Sequence, residues 1–166
     1  MSQLKSLHKD AISAALEKAE RYRLLNEPGE AESICLDVLA VEPENQQAVI
    51  TLLLALTDRF EKGYSVSDTQ TKELLGRMKS EYDRAYYAGI VAERRAKAKL
   101  RQNTPDCRFQ AYDLLREAMD WFEQAEPVRP PGHDDAILRW NTCARIIARN
   151  SLVPRAEEER IEFPLE

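Results

Sequence analysis

Two histidines, three cysteines and several arginine-rich stripes are the residues of this 166-residue chain that could act on a ligand. His133 stands in the turn Pro130-Pro131-Gly132-His133-Asp134-Asp135, where an imidazole beside two carboxylates could serve acid–base or metal chemistry. Consecutive residues at a helix start point in different directions, however, and the other histidine, His8, lies on the polar edge of the first helical segment. Asp134 or Asp135 is therefore read as the cap of a helix, and no metal site is expected. Cys35, Cys107 and Cys143 are odd in number and form no CxxC pair, which excludes a zinc motif and a disulfide framework. Cys107, beside Arg108 at a helix start, has the setting of a lowered thiol pKa, but no motif supplies a general base. With five glycines the chain has no phosphate-cradling loop, and it carries no GxSxG or HExxH. The expectation is a protein without catalysis or cofactor.

The arginines are more informative. Arg94, Lys97 and Arg101 recur at i, i+3 and i+7, and Asn141, Arg145 and Arg149 at i, i+4 and i+8, with Arg139 beside the second stripe. A cationic stripe on a helix is either a solvated face near a helix C-terminus or a site for an acidic segment. These seven residues are the candidate partner-binding set. Nucleic acid is not expected, because the chain carries a net charge of −5 and no aromatic residues interleave the basic run. The alternative from another class is an enzyme or small-ligand binder with a pocket made by Arg94, His133, Asp134, Arg139 and Arg145.

Helices must position all of these groups. Apolar residues recur with a helical period over residues 4–26, 30–41, 45–62, 69–102, 106–124 and 135–150, separated by Pro28-Gly29, Pro43, the segment 63–67, Pro105 and the prolines at 127, 130 and 131. The fourth segment contains no proline, so it predicts one helix of over thirty residues. Within it Ala85, Ala88, Gly89, Ala92 and Ala96 form a stripe of small side chains, suited to a close neighbour or, if exposed, to a homodimer. The fold class is all-α, with about six helices in one domain over residues 1–150 and an acidic tail over 151–166. The longest apolar run, Leu52 to Leu56, is far too short to span a membrane, and the N-terminal segment lacks the apolar stretch of a signal peptide. No membrane contact and a cytoplasmic location are the expectations.

The helices also repeat. Ala15-x2-Lys18-Ala19-x2-Tyr22, followed by Ala31-x3-Cys35-x2-Val38 and Pro43, resembles the tetratricopeptide (TPR) pattern, although Ala15, Lys18 and Cys35 are not the favoured residues at their places. Thirty-four residues later come Val49, Leu52, Leu53 and Leu56. Pieces return at Ala111-x3-Leu115-x2-Ala118 and at Trp140-x2-Cys143-Ala144-x2-Ile147. The resemblance implies antiparallel α/α hairpins stacked as a short superhelix, with first helices lining a concave side that holds a peptide or a partner's helix. It also implies an inward place for Trp140, Cys35 and Cys143. Members that clamp a terminal carboxylate use Lys, Arg and Asn where this chain has Leu16, Glu20, Gln47, Ile50, Thr51 and Leu54, so no such clamp is expected. The partner would be a protein or peptide, acidic by complementarity. The chain's own tail is one such segment, because Glu157, Glu158 and Glu159 precede Ile161, Phe163 and Leu165.

Overall fold

The structure, a computed structural model, describes residues 1–63 and 66–156. Seven α-helices make up the described chain: α1 (Ile12–Leu24), α2 (Pro28–Val41), α3 (Gln46–Thr57), α4 (Asp68–Gly76), α5 (Glu81–Gln102), α6 (Pro105–Ala125) and α7 (Asp135–Arg149). No strand occurs among the described residues, as the helical periodicity requires. None of the helices is long and apolar enough to cross a membrane.

Local chemistry sets most boundaries. After α1 the chain turns through Asn26 in the left-handed region (φ 61°), and Pro28 opens α2, where its missing N–H costs nothing. Asn45 caps α3: its side chain accepts from the Ala48 N–H at 2.9 Å. α2 packs between α1 and α3, and Leu16, Ala19, Cys35, Val38, Val49 and Leu53 form the centre of a first core that Leu74, Met78 and Val91 close.

The long helix expected over 69–102 is two helices, α4 and α5, separated at residues 77–80. Gln46 at the start of α3 supplies the hydrogen bonds that a continuous helix would have made internally. Its side-chain oxygen accepts from the Lys79 N–H at 2.8 Å, and its amide donates to the Arg77 carbonyl at 3.1 Å. Ser80 then caps α5 by accepting from the Asp83 N–H at 3.2 Å. The break also turns Met78 inward, where it is 1% exposed in the first core. Gly89, by contrast, leaves α5 continuous.

A second core lies between α5, α6 and α7, centred on Ile90, Leu115, Met119, Phe122 and Cys143. Gly89 admits a side chain rather than a neighbouring backbone: a Cβ there would stand 2.5 Å from Cε1 of Phe122. Ala85, Ala88, Gly89, Ala92 and Ala96 are all buried within the chain, so the small-residue stripe is no exposed dimer face. Packing continues past α7. Ser151 takes a positive φ, the Leu152 N–H donates to the Ile147 carbonyl at 3.0 Å, and Leu152 is buried in the second core. Arg155 follows, paired with Asp106 and lying 4.9 Å from the centre of the Phe109 ring. Trp140, read as a core residue, is only half-buried, and its indole N–H donates to Glu123 at 2.9 Å.

Candidate functional site

Polar contacts link α1, α3, α5 and α7 in turn. On α1, Glu20 accepts from Gln47 of α3 at 3.3 Å. One turn on, the Arg23 guanidinium donates to both oxygens of Asp58, the residue that ends α3, at 2.8 and 3.2 Å. From the other side Arg94 of α5 donates to the same carboxylate at 2.6 Å, and also to the Leu54 carbonyl and the Thr57 hydroxyl. One acidic group thus joins three helices. Both contacts fall in the last turn of α3, where the Leu54 carbonyl also accepts from the Asp58 N–H. Burial pulls the Arg94 guanidinium below its usual pKa, an effect that Asp58 opposes and Arg23 adds to.

The next residue, Glu93, is fully buried. Arg139 of α7 donates to its Oε2 at 2.5 Å, Lys97 one turn along α5 donates to the same oxygen at 3.3 Å, and the Cys143 thiol donates to Oε1 at 3.4 Å. A carboxylate in a core needs such partners, since an unpaired buried charge costs several kcal/mol. The thiol is locked in the neutral form: burial, and after it the Glu93 charge, pushes Cys143 up to about 12. A thiol held protonated beside a carboxylate is a poor nucleophile.

Four of the seven expected partner-binding residues are therefore already engaged. Arg94 holds Asp58, Lys97 and Arg139 hold Glu93, and Arg101 holds Glu61 at 2.8 Å. The second stripe differs. Asn141 is half-buried, Arg145 and Arg149 are exposed, and the three side chains make no hydrogen bond or ion pair among the described residues. Of the residues of the alternative pocket, Arg139 is close enough to Arg94 for its charge to act on it, whereas exposed His133 and Asp134 belong to the loop before α7. There Asp134 pairs with Arg129 at 3.5 Å and the His133 carbonyl accepts from Arg129. Asp134 does stand at the N-cap of α7, but its side chain makes no capping hydrogen bond. Cys107 is also less open than its helix-start position suggested: it is 8% exposed, and its thiol donates to Gln102. The tail residues Glu157, Glu158, Glu159, Ile161, Phe163 and Leu165 lie outside the described residues.

The sequence reading missed Arg23, Asp58 and Glu93. Glu93 had a signal: it stands between Gly89 and Ala96 in the small-residue stripe, with Lys97 at i+4. Asp58 had none, because its partners are 35 and 36 residues away. No protein-family model, no curated protein and no solved structure matches this chain.

Proposed function

We propose that the chain is a non-catalytic protein–protein interaction module of TPR-like helix pairs, cytoplasmic in location, that binds an acidic peptide or partner segment along α7. The observation that carries this reading is the state of its cations. Arg94, Lys97, Arg101 and Arg139 are neutralised within the chain, while Arg145 and Arg149 stand exposed on one stripe with Asn141 and pair with no acidic group among the described residues. Two guanidiniums about one turn apart can each take a carboxylate bidentately, and the Asn141 amide can hold a peptide group of the same strand. The paired cations keep the helices in place for that contact, and are not themselves the contact.

A fluorescein-labelled peptide with the sequence of residues 157–166, titrated into the full chain and read by anisotropy, tests the proposal. The expected result is saturable binding that weakens with salt and is lost in the double variant Arg145→Glu, Arg149→Glu, with the helical circular dichroism unchanged. Binding that survives this charge reversal overturns the assignment to α7, and no binding at all to the wild-type chain overturns the acidic-segment reading.

A further inference from the structure

The opposite flank of α7 carries a different chemistry. Trp140 and Ile137 form one wall of a cleft of about 430 Å³ whose other side is Glu123 and Glu126 at the end of α6. That volume falls in the range of built ligand sites. The carboxylates are placed against electrostatic preference. They stand at the C-terminal end of α6, where the helix dipole is negative, and the last turn of α6 has no basic residue. Neither glutamate makes an ion pair among the described residues, and Arg129, the nearest cation in sequence, is taken up by Asp134. The Trp140 N–H fixes Glu123 at 2.9 Å, while the indole and the second carboxylate both line the cleft. Two uncompensated carboxylates, a half-exposed indole and an aliphatic wall together recognise one kind of group: a cation on an alkyl stem.

We propose that this cleft docks a lysine or arginine side chain of a basic peptide segment in a partner protein. The alkyl stem lies along Ile137 and the indole, and the charged head sits between Glu123 and Glu126. The site is independent of the Arg145–Arg149 stripe, so a partner bearing both charges would grip α7 from two sides, and each contact can be lost without the other.

Titration of ¹⁵N-labelled full chain with the blocked peptide acetyl-Gly-Lys-Gly-Lys-Gly-amide, followed by NMR, reads the site directly. The Trp140 indole N–H reports on the cleft and Trp121 serves as the internal control. The expected result is a saturable shift of the Trp140 signal, at least tenfold weaker for the same peptide with both lysines Nε-acetylated. Glu126→Gln, at an exposed position where folding is not at stake, should weaken the lysine peptide at least fivefold. Arg145→Glu should leave its affinity unchanged or raise it. A Trp140 signal that does not move, equal shifts from the acetylated peptide, or unchanged affinity in Glu126→Gln overturns the proposal. Equal affinity for free tetramethylammonium overturns the peptide as the ligand in favour of a small cation.

Discussion

The two cores of this molecule are built from similar helical hairpins but treat charge in opposite ways. In the α1–α4 core no charged side chain among the described residues is buried, the buried polar groups being the hydroxyls of Thr51, Thr57 and Thr71, and the ion pairs Arg23–Asp58 and Arg59–Glu32 stay at its edge with side chains 20–27% exposed. In the α5–α7 core a glutamate with no exposure stands among Ala92, Ala96 and Cys143, and its counter-charges are Lys97 on its own helix and Arg139 on α7. An apolar core holds by the area it buries and tolerates small shifts of its helices. A buried ion pair holds only in the geometry that satisfies both partners, so it fixes α7 against α5 at one register.

The largest test of that difference is to remove one partner. Arg139→Ala leaves the Glu93 carboxylate buried with only Lys97 and the Cys143 thiol, a situation that costs about 3–5 kcal/mol when the stranded charge is fully enclosed. A third of the Arg139 side chain reaches solvent, so the low end, about 3 kcal/mol, is expected in urea unfolding. Leu53→Ala in the first core should cost a similar amount, about 2–5 kcal/mol, through a cavity instead. The two losses differ in their remedy. Replacing Glu93 and Arg139 together by leucine should recover most of the first loss, because no charge is then stranded. A loss under about 1 kcal/mol in Arg139→Ala would mean that the ion pair does not fix α7.

The thiols sharpen the comparison, since each core contains one. Burial raises Cys35 to about 11 and Cys143 to about 12, from an ordinary value of 9.0, and Glu93 adds to the shift only at Cys143. The unfolded chain therefore loses these protons first as pH rises. Above pH 9 the unfolded state binds fewer protons than the folded one, so stability falls by about 1.4 kcal/mol per pH unit for each thiol until the folded group also ionises. The Cys35 contribution should end near pH 11 and that of Cys143 near pH 12. Cys35→Ala and Cys143→Ala should each flatten the alkaline stability curve by one proton's slope. Curves parallel to wild type above pH 9 would show that neither thiol is shielded as described.

Much of the fold is legible because helical periodicity reports a local property. Pro28, Asn45, Thr104 and Pro105 punctuate the chain where helices end or begin, and Gly89 marks a close approach before its neighbour, Phe122, is known. The break at 77–80 is not legible, since its hydrogen bonds come from Gln46, more than thirty residues away. The binding residues fail for the same reason. A stripe such as Arg94, Lys97 and Arg101 reads as a free cationic face on its own helix. Asp58, Glu93 and Glu61 neutralise it, and two of these lie on other parts of the chain. Trp140 fits the inward place of a repeat, but among the described residues no helix follows α7 to cover it.

The smallest effect separates helices that carry a side-chain cap from α7, which does not. α3, α5 and α6 begin with Asn45, Ser80 and Thr104, each accepting a hydrogen bond from an N–H three residues on. Removing such a cap costs about 1 kcal/mol, the expected loss for Ser80→Ala and Thr104→Ala. α7 begins with Asp134, whose φ of −108° and ψ of 27° depart from the extended backbone of a working cap, and whose carboxylate faces Arg129 at 3.5 Å. Asp134→Ala should therefore change the unfolding free energy by less than about 0.5 kcal/mol, the range of an ordinary surface substitution. If Asp134→Ala costs as much as Ser80→Ala, the side chain caps α7 in solution and the helix has a local start after all. If it is silent while Arg139→Ala is severe, α7 is held by its contact with Glu93 and not by its own first turn. The helix α7 then depends on one buried charge for what α3, α5 and α6 obtain from their own caps.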